Sequence, residues 1–267
     1  MAPPQLQERI ETLIVDEDTM SSVQKLVGRA LRKAARIIDP PETIRLINDE
    51  YISWLGYANA GMLERGNLHS IDYAIGHLPS AAPILEIGSF CGLSTNVITH
   101  LKRKHGAKNP LITCDKWEFE NVDGRSKIPN SPVLFSDYRA FVRDSYIRNI
   151  QMFSGDDLPF TFEMTADVFF AAWKDQKDCA DILGRNFRLG GQFSFCYIDG
   201  NHTYEYAKRD FLNSDAYLET GGFIFFDDST LGEFSLHKLM PEIMTSGRYH
   251  LVATNPYHLF QKTGPGS

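Results

Sequence analysis

The sequence predicts an α/β protein with a doubly wound, mostly parallel seven-stranded sheet. An antiparallel C-terminal hairpin closes the sheet and an N-terminal helical lid precedes it. Three observations carry that prediction. From Ile84 onward, short apolar runs alternate with helical periodicity, the pattern that puts helices on both faces of a parallel sheet. The stretch Pro83–Thr95 (PILEIGSFCGLST) is an apolar strand, then a glycine-bearing turn, then a helix start near Ser94. Finally, the strand ends carry carboxylates: Asp115, Asp199 and the pair Asp227–Asp228.

Before Ile84 the pattern is helical, with apolar residues at three-to-four spacing over Gln5–Val15, Ser21–Ile38, Pro41–Ala60 and His69–Leu78. Pro40–Pro41 separates two of these helices, and Pro41 suits a first helical position. The chain thus divides into a helical lid or flank, residues 1–78, and a core, residues 79–263. After the first strand, a helix over Ser94–Lys104 leads to a second strand, Pro110–Trp117, which carries Asp115. Glu118–Pro132 is polar and rich in turn formers, hence a loop, and Ser136–Asn149 is a helix with a serine cap. Ile150–Ser154 reads as a third strand, followed by Gly155–Asp156. Within Phe160–Gly184, Phe169, Phe170 and Trp173 recur at helical spacing, which points to core rather than to a substrate box. Gln192–Ile198 is the fourth strand, Tyr204–Leu218 a crossover helix and Phe223–Phe226 the fifth strand. Leu236–Met244 is helical, and Tyr249–Ala253 and His258–Lys262 flank Asn255–Pro256 as the closing antiparallel pair.

At 267 residues the chain suits one large α/β domain with an appendage. A net charge of -7 without any basic block argues against nucleic acid as a partner. Cys91, Cys114, Cys179 and Cys196 show neither CxxC spacing nor a disulfide framework, which fits reduced thiols and a cytoplasmic location. The start is proline-rich and polar, unlike a signal peptide, and no apolar run approaches membrane length, so no membrane partner is expected.

The chemistry concentrates at the strand ends. Gly88 and Gly92 lack a Cβ, so the backbone can turn sharply and a ligand can approach closely. The helix that follows aims free N–H groups at the same spot, where an anionic group is welcome. Glu86 ends the strand, where a carboxylate could hold a ligand's amine or hydroxyl. The interval to Asp115 is that of a βαβ unit, in which an acid receives ribose hydroxyls; a strand-end cap is the plain alternative. If the fourth and fifth strands are neighbours, Asp199, Asp227 and Asp228 converge. Carboxylates that close repel unless a cation or a shared proton sits between them. Oxygen-only ligands with open positions suit Mg²⁺ or a similar hard cation, while solvated strand ends are the alternative. His202, three residues beyond Asp199, is a natural base for a substrate hydroxyl, or else a helix cap.

Glu86–Ser94 (EIGSFCGLS) resembles the first motif of the catechol O-methyltransferase group of S-adenosylmethionine-dependent enzymes. The run IDGNHTYEYAKRDF…LETGGFIFFDD is similar to a broad bacterial branch of that group. The Asp199-x-x-His202 form more closely resembles the macrolide sugar O-methyltransferases, where the histidine serves as base; the catechol enzyme has a lysine there. It also has asparagine where this chain has Asp228. The resemblance covers Glu64 to about Lys262. It implies a Rossmann-like methyltransferase fold and methyl transfer from S-adenosylmethionine to a hydroxyl of a small molecule. A bacterial polyketide, macrolide sugar or phenol is the implied acceptor class. Asp199, Asp227 and Asp228 would hold a divalent metal, Mg²⁺, with His202 as base. Glu86, Gly88 and Ser94 would meet the methionine end of the cofactor, with Ser89 and Gly92 in the same turn. Asp115 would take the ribose, and Gly155–Asp156 would lie near the adenine. One alternative is a metal-independent O-methyltransferase domain of a polyketide synthase, acting on a carrier-tethered hydroxyl. Another is an NAD(P)-dependent oxidoreductase, against which the G-x-x-x-G spacing of Gly88 and Gly92 stands.

Overall fold

The computed structural model describes residues 44–119, 122–230 and 235–264, which belong to one compact unit, Ile44–Ser267. The helices expected over Gln5–Val15 and Ser21–Ile38 lie outside the described residues. Helix α1 (Glu50–Ala58) starts at Asp49, whose carboxylate accepts from the Ile52 amide at 3.0 Å. Helix α2 (Asn67–Gly76) buries Ile71, Ala74 and Ile75. Strand β1 (Ile84–Ile87) is buried at every position, as a strand covered on both faces must be. Helix α3 (Leu93–His105) starts and stops at left-handed glycines, Gly92 and Gly106. Then come β2 (Leu111–Cys114), α4 (Phe135–Phe153), β3 (Phe160–Phe162) and α5 (Ala166–Lys174). A small antiparallel pair, β4 (Asp178–Ala180) and β5 (Asn186–Arg188), stands apart from the main sheet. Strand β6 (Phe193–Ile198), α6 (Tyr204–Tyr217), β7 (Leu218–Phe226), α7 (Leu239–Thr245), β8 (Tyr249–Thr254) and β9 (His258–Lys262) complete the chain.

The main sheet has seven strands in the order β3-β2-β1-β6-β7-β9-β8, parallel through β7 and antiparallel for the last two. On one face, Leu85, Ile112, Cys196 and Ile224 pack with Phe169, Phe170 and Trp173 of α5. On the other, Ile84, Phe195 and Phe223 pack with Val97 and Leu101 of α3 and with Ile71 of α2. Register then places the chemistry. Ile87 pairs with both Cys114 and Ile198, and Ile198 pairs with Phe226. The next residue on each strand is therefore Asp115, Gly88, Asp199 or Asp227, side by side along one edge. Among the described residues no helix is long and apolar enough to cross a membrane.

Several segments differ from expectation: among the described residues the helix expected over Pro41–Ala60 spans only Glu50–Ala58, and α4 starts at Phe135 with Leu134, not Ser136, at its cap. Ile150–Ser154 is not the third strand: α4 runs through Phe153, and the strand is Phe160–Phe162. The reason is a helical stripe, since Val142, Tyr146 and Ile150 are buried four residues apart. A short apolar run at the end of such a stripe cannot be told from a strand by its own pattern. The fifth strand is longer than expected, because β7 already begins at Leu218 and absorbs Gly221–Gly222, with a register shift against Phe193 and Phe195.

Candidate active site

Gly88 is the pivot of the strand-end row. Its φ is 83°, and a Cβ there would lie 2.1 Å from the Asp199 carbonyl oxygen, so β1 and β6 meet through it. The Gly88 amide donates to the Cys114 carbonyl at 3.0 Å, and the Asp199 amide donates to Ile87 at 2.8 Å. Beyond it the turn wraps the Asp115 carboxylate. Oδ2 accepts from the amides of Ser89 (2.8 Å) and Phe90 (3.0 Å), and Oδ1 accepts from Trp117 at 2.6 Å. Phe90 and Trp117 both hold positive φ, and the Trp117 indole closes the loop by donating to the Phe90 carbonyl at 2.9 Å. Burial pushes the Asp115 carboxyl up, against the pull of those amides. Asp115 thus shapes the turn while keeping lone pairs for a ligand hydroxyl.

Glu86 does a different job. It is fully buried, and its two oxygens accept from Ser94 Oγ and Thr95 Oγ1, each at 2.6 Å. It ties β1 to α3 from behind the turn. Burial raises its carboxyl from 4.5 to about 7, the two hydroxyls offsetting only part of that cost. The fold therefore favours the protonated form. That stability is complete below the unfolded value and is lost as pH rises toward 7. Glu86→Gln keeps the shape and cannot ionise. Its melting temperature is expected to gain on the wild type between about pH 5 and about pH 8, by up to roughly 3 kcal/mol in stability. Parallel melting curves across that range would refute the assignment.

At the other end of the row, Asp199 and Asp227 face each other. Tyr197 Oη reaches Asp199 Oδ2 at 3.2 Å and Asp227 Oδ2 at 3.3 Å, and Asn67 Nδ2 donates to Asp227 Oδ1 at 2.5 Å. Lost hydration, with the neighbouring Asp227 charge second, holds the Asp199 carboxyl well above the carboxylate range. Burial likewise raises the Asp227 carboxyl. Asp228 holds positive φ. His202 Nε2 lies 3.7 Å from both Asp199 and Asp228. Among the described residues no group of three acids, histidines or cysteines is already assembled around a metal position. The donor chemistry of the pair still fits a hard cation, which takes oxygen ligands and would offset the mutual repulsion of two carboxylates.

Both ends open into one cleft of about 630 Å³. Gly88, Ser89, Ser94, Asp115, Asp199, His202, Asp227 and Asp228 line it, so most of the sequence candidates meet there. Glu86 and Gly92 do not line it; Gly92 starts α3 and packs on Tyr146, 3.0 Å from where its Cβ would be. Gly155 and Asp156 are outside it as well. The strand that was to deliver them is helix, and Asp156 pairs with Arg103 instead. Sequence reasoning missed Asn67, Tyr197 and Trp117. Asn67 had no local signal, because it meets Asp227 across 160 residues of chain.

The family description "Methyltransferase domain" matches residues 85–229, more than half of the chain. This chain belongs to that methyltransferase family. The matched segment runs from β1 to just past Asp228, whereas Asn67 reaches Asp227 from outside it. Solved structures share the fold. An O-methyltransferase from Bacillus cereus in complex with SAH is 12% identical, with 88% of this chain and 97% of that one covered at a TM-score of 0.52. A SAH-bound methyltransferase from Podospora anserina, PaMTH1, is 14% identical, with 94% and 98% covered at a TM-score of 0.51. No curated protein matches the methyltransferase's sequence.

Proposed function

We propose that this methyltransferase moves the methyl group of S-adenosylmethionine onto a hydroxyl of a small molecule. His202 acts as base, and Asp199, Asp227 and Asp228 hold a divalent cation, Mg²⁺. The observation that carries the reading is a single cleft with the glycine turn and Asp115 at one end and the acids with His202 at the other. SAH in both fold neighbours supports the donor. In this reading Gly88, Ser89 and Ser94 receive the methionine end, Asp115 the ribose, and Glu86 braces the turn from behind. The sulfonium is the electrophile, so the chain's share is to align the acceptor oxygen, exclude water and take the proton. His202 stands beside Asp199 and Asp228, where an acceptor hydroxyl would lose that proton. When bound, the cation supplies positive charge that acidifies the hydroxyl.

Calorimetry tests the donor. S-adenosylmethionine is expected to bind, and NAD(P) to give no heat; the reverse result would replace this reading with an oxidoreductase. Chelation tests the cation. Activity is expected to vanish in chelator and return with Mg²⁺, and Asp199→Asn is expected to weaken Mg²⁺ binding about tenfold or more by removing a charged ligand. Full turnover in chelator would favour a metal-independent enzyme with His202 alone as base.

A further inference from the structure

Charge in the cleft is one-sided. Five carboxylates line it, Asp115, Glu118, Asp199, Asp227 and Asp228, and its described lining includes neither lysine nor arginine. Asp115 belongs to the glycine turn at the donor end, which leaves Asp199, Asp227 and Asp228 beside His202 at the acceptor end. Arg139 lines a neighbouring hollow with Glu118 and Phe119. Its guanidinium is already committed to Glu163 at 2.8 Å and to the Lys116 carbonyl at 3.0 Å. Lys116 itself approaches Glu118 at 3.9 Å, outside the cleft lining.

Anions can also be held by free amides at a helix start. The helix that begins at the acceptor end is α6, and the amides of its cap, Thr203, and of its first residue, Tyr204, are taken. Thr203 donates to Asn201 Oδ1 and Tyr204 donates to Ser235 Oγ, each at 2.8 Å. Glu205 adds a negative charge in that first turn. Met62, Leu63, Phe90 and Leu93 add apolar surface to the cleft lining.

We infer that the acceptor is an uncharged or cationic hydroxyl compound with a largely apolar body, and that acceptors carrying phosphate, diphosphate or coenzyme A are excluded. The inference rests on the reading of this cleft as the methyl-transfer site. A sulfonium and a divalent cation bring positive charge, but the acids that would hold the cation already balance it. An anionic tail would then lose its water without gaining a partner.

Two measurements on the full chain loaded with S-adenosylhomocysteine test it. Loading itself reports on the donor site, so failure to load would count against the proposed function and not against acceptor choice. In the loaded protein, titration with inorganic pyrophosphate is expected to show no binding tighter than about 10 mM, whereas a dissociation constant below about 0.1 mM would overturn the inference. In turnover with S-adenosylmethionine, ethyl caffeate is expected to exceed caffeoyl-CoA in kcat/KM by about 100-fold or more, the scale of uncompensated like charge at a contact. Equal or faster methylation of caffeoyl-CoA would overturn it too. If neither is methylated, the pyrophosphate titration alone decides.

Discussion

Gly88→Val is expected to abolish S-adenosylmethionine binding, lowering affinity by about 100-fold or more, through damage that begins at Asp199. The new Cβ would sit 2.1 Å from the Asp199 carbonyl oxygen and 2.7 Å from its carbon, and backbone cannot rotate away as a side chain would. The φ of 83° adds strain of about 1–3 kcal/mol for a β-branched residue. Separating β1 from β6 moves the glycine turn and the first acid together, because the Asp199 amide is bonded to Ile87. The sheet beyond that edge remains paired over β2, β3, β7 and the closing hairpin, so a cooperative but lowered melt is expected. Calorimetry with S-adenosylmethionine, alongside circular dichroism, is the measurement. A Gly88→Val protein that folds and binds the donor with unaltered affinity would remove the glycine turn from the cofactor site. Gly88→Ala meets the same oxygen with one carbon and is expected to fall between the two.

How far the sequence foretold this arrangement depends on which interactions are local. β1, β2 and β6 were legible because buried parallel strands are short aliphatic or aromatic runs with turn residues behind them. Their ends were legible too, since an acid directly after such a run must lie on the carboxyl edge of the sheet. Ile150 was misread because its burial comes from the α4 stripe with Val142 and Tyr146, which a five-residue window hides. Gly155 and Asp156, which follow that segment and which the resemblance sets near the adenine, lie outside the cleft lining. Glu86 was found as an acid at the right strand but its partners were not. Alternation turns it to the α3 side, where Ser94 and Thr95 meet it. Asn67 and Tyr197 were invisible for a further reason. Each gains its meaning from Asp227, and contact across such separations leaves no periodic trace in one sequence.

His202→Ala is expected to lower kcat by about 10²–10⁴-fold, the usual cost of removing a positioned general base. Affinity for S-adenosylmethionine should hardly change, because the imidazole stands beside Asp199 and Asp228 and not at the glycine turn. Its Nε2 is 3.7 Å from each of those carboxylates, close enough for them to orient the ring yet too long for a hydrogen bond of ordinary strength. The loop around it is fixed from both sides. Asn201 Oδ1 accepts from Thr203, and the His202 carbonyl accepts from Leu236 at 3.1 Å. Substitution at the ring should therefore leave the backbone, and the start of α6, in place. His202→Gln fills similar space without a basic nitrogen and should be as slow as His202→Ala if proton removal is the role. Single-turnover rates, with donor affinity measured on the same variants, separate the two accounts. Were Gln to restore wild-type turnover, the histidine would be a packing and capping residue, and the acceptor proton would have to leave by another route.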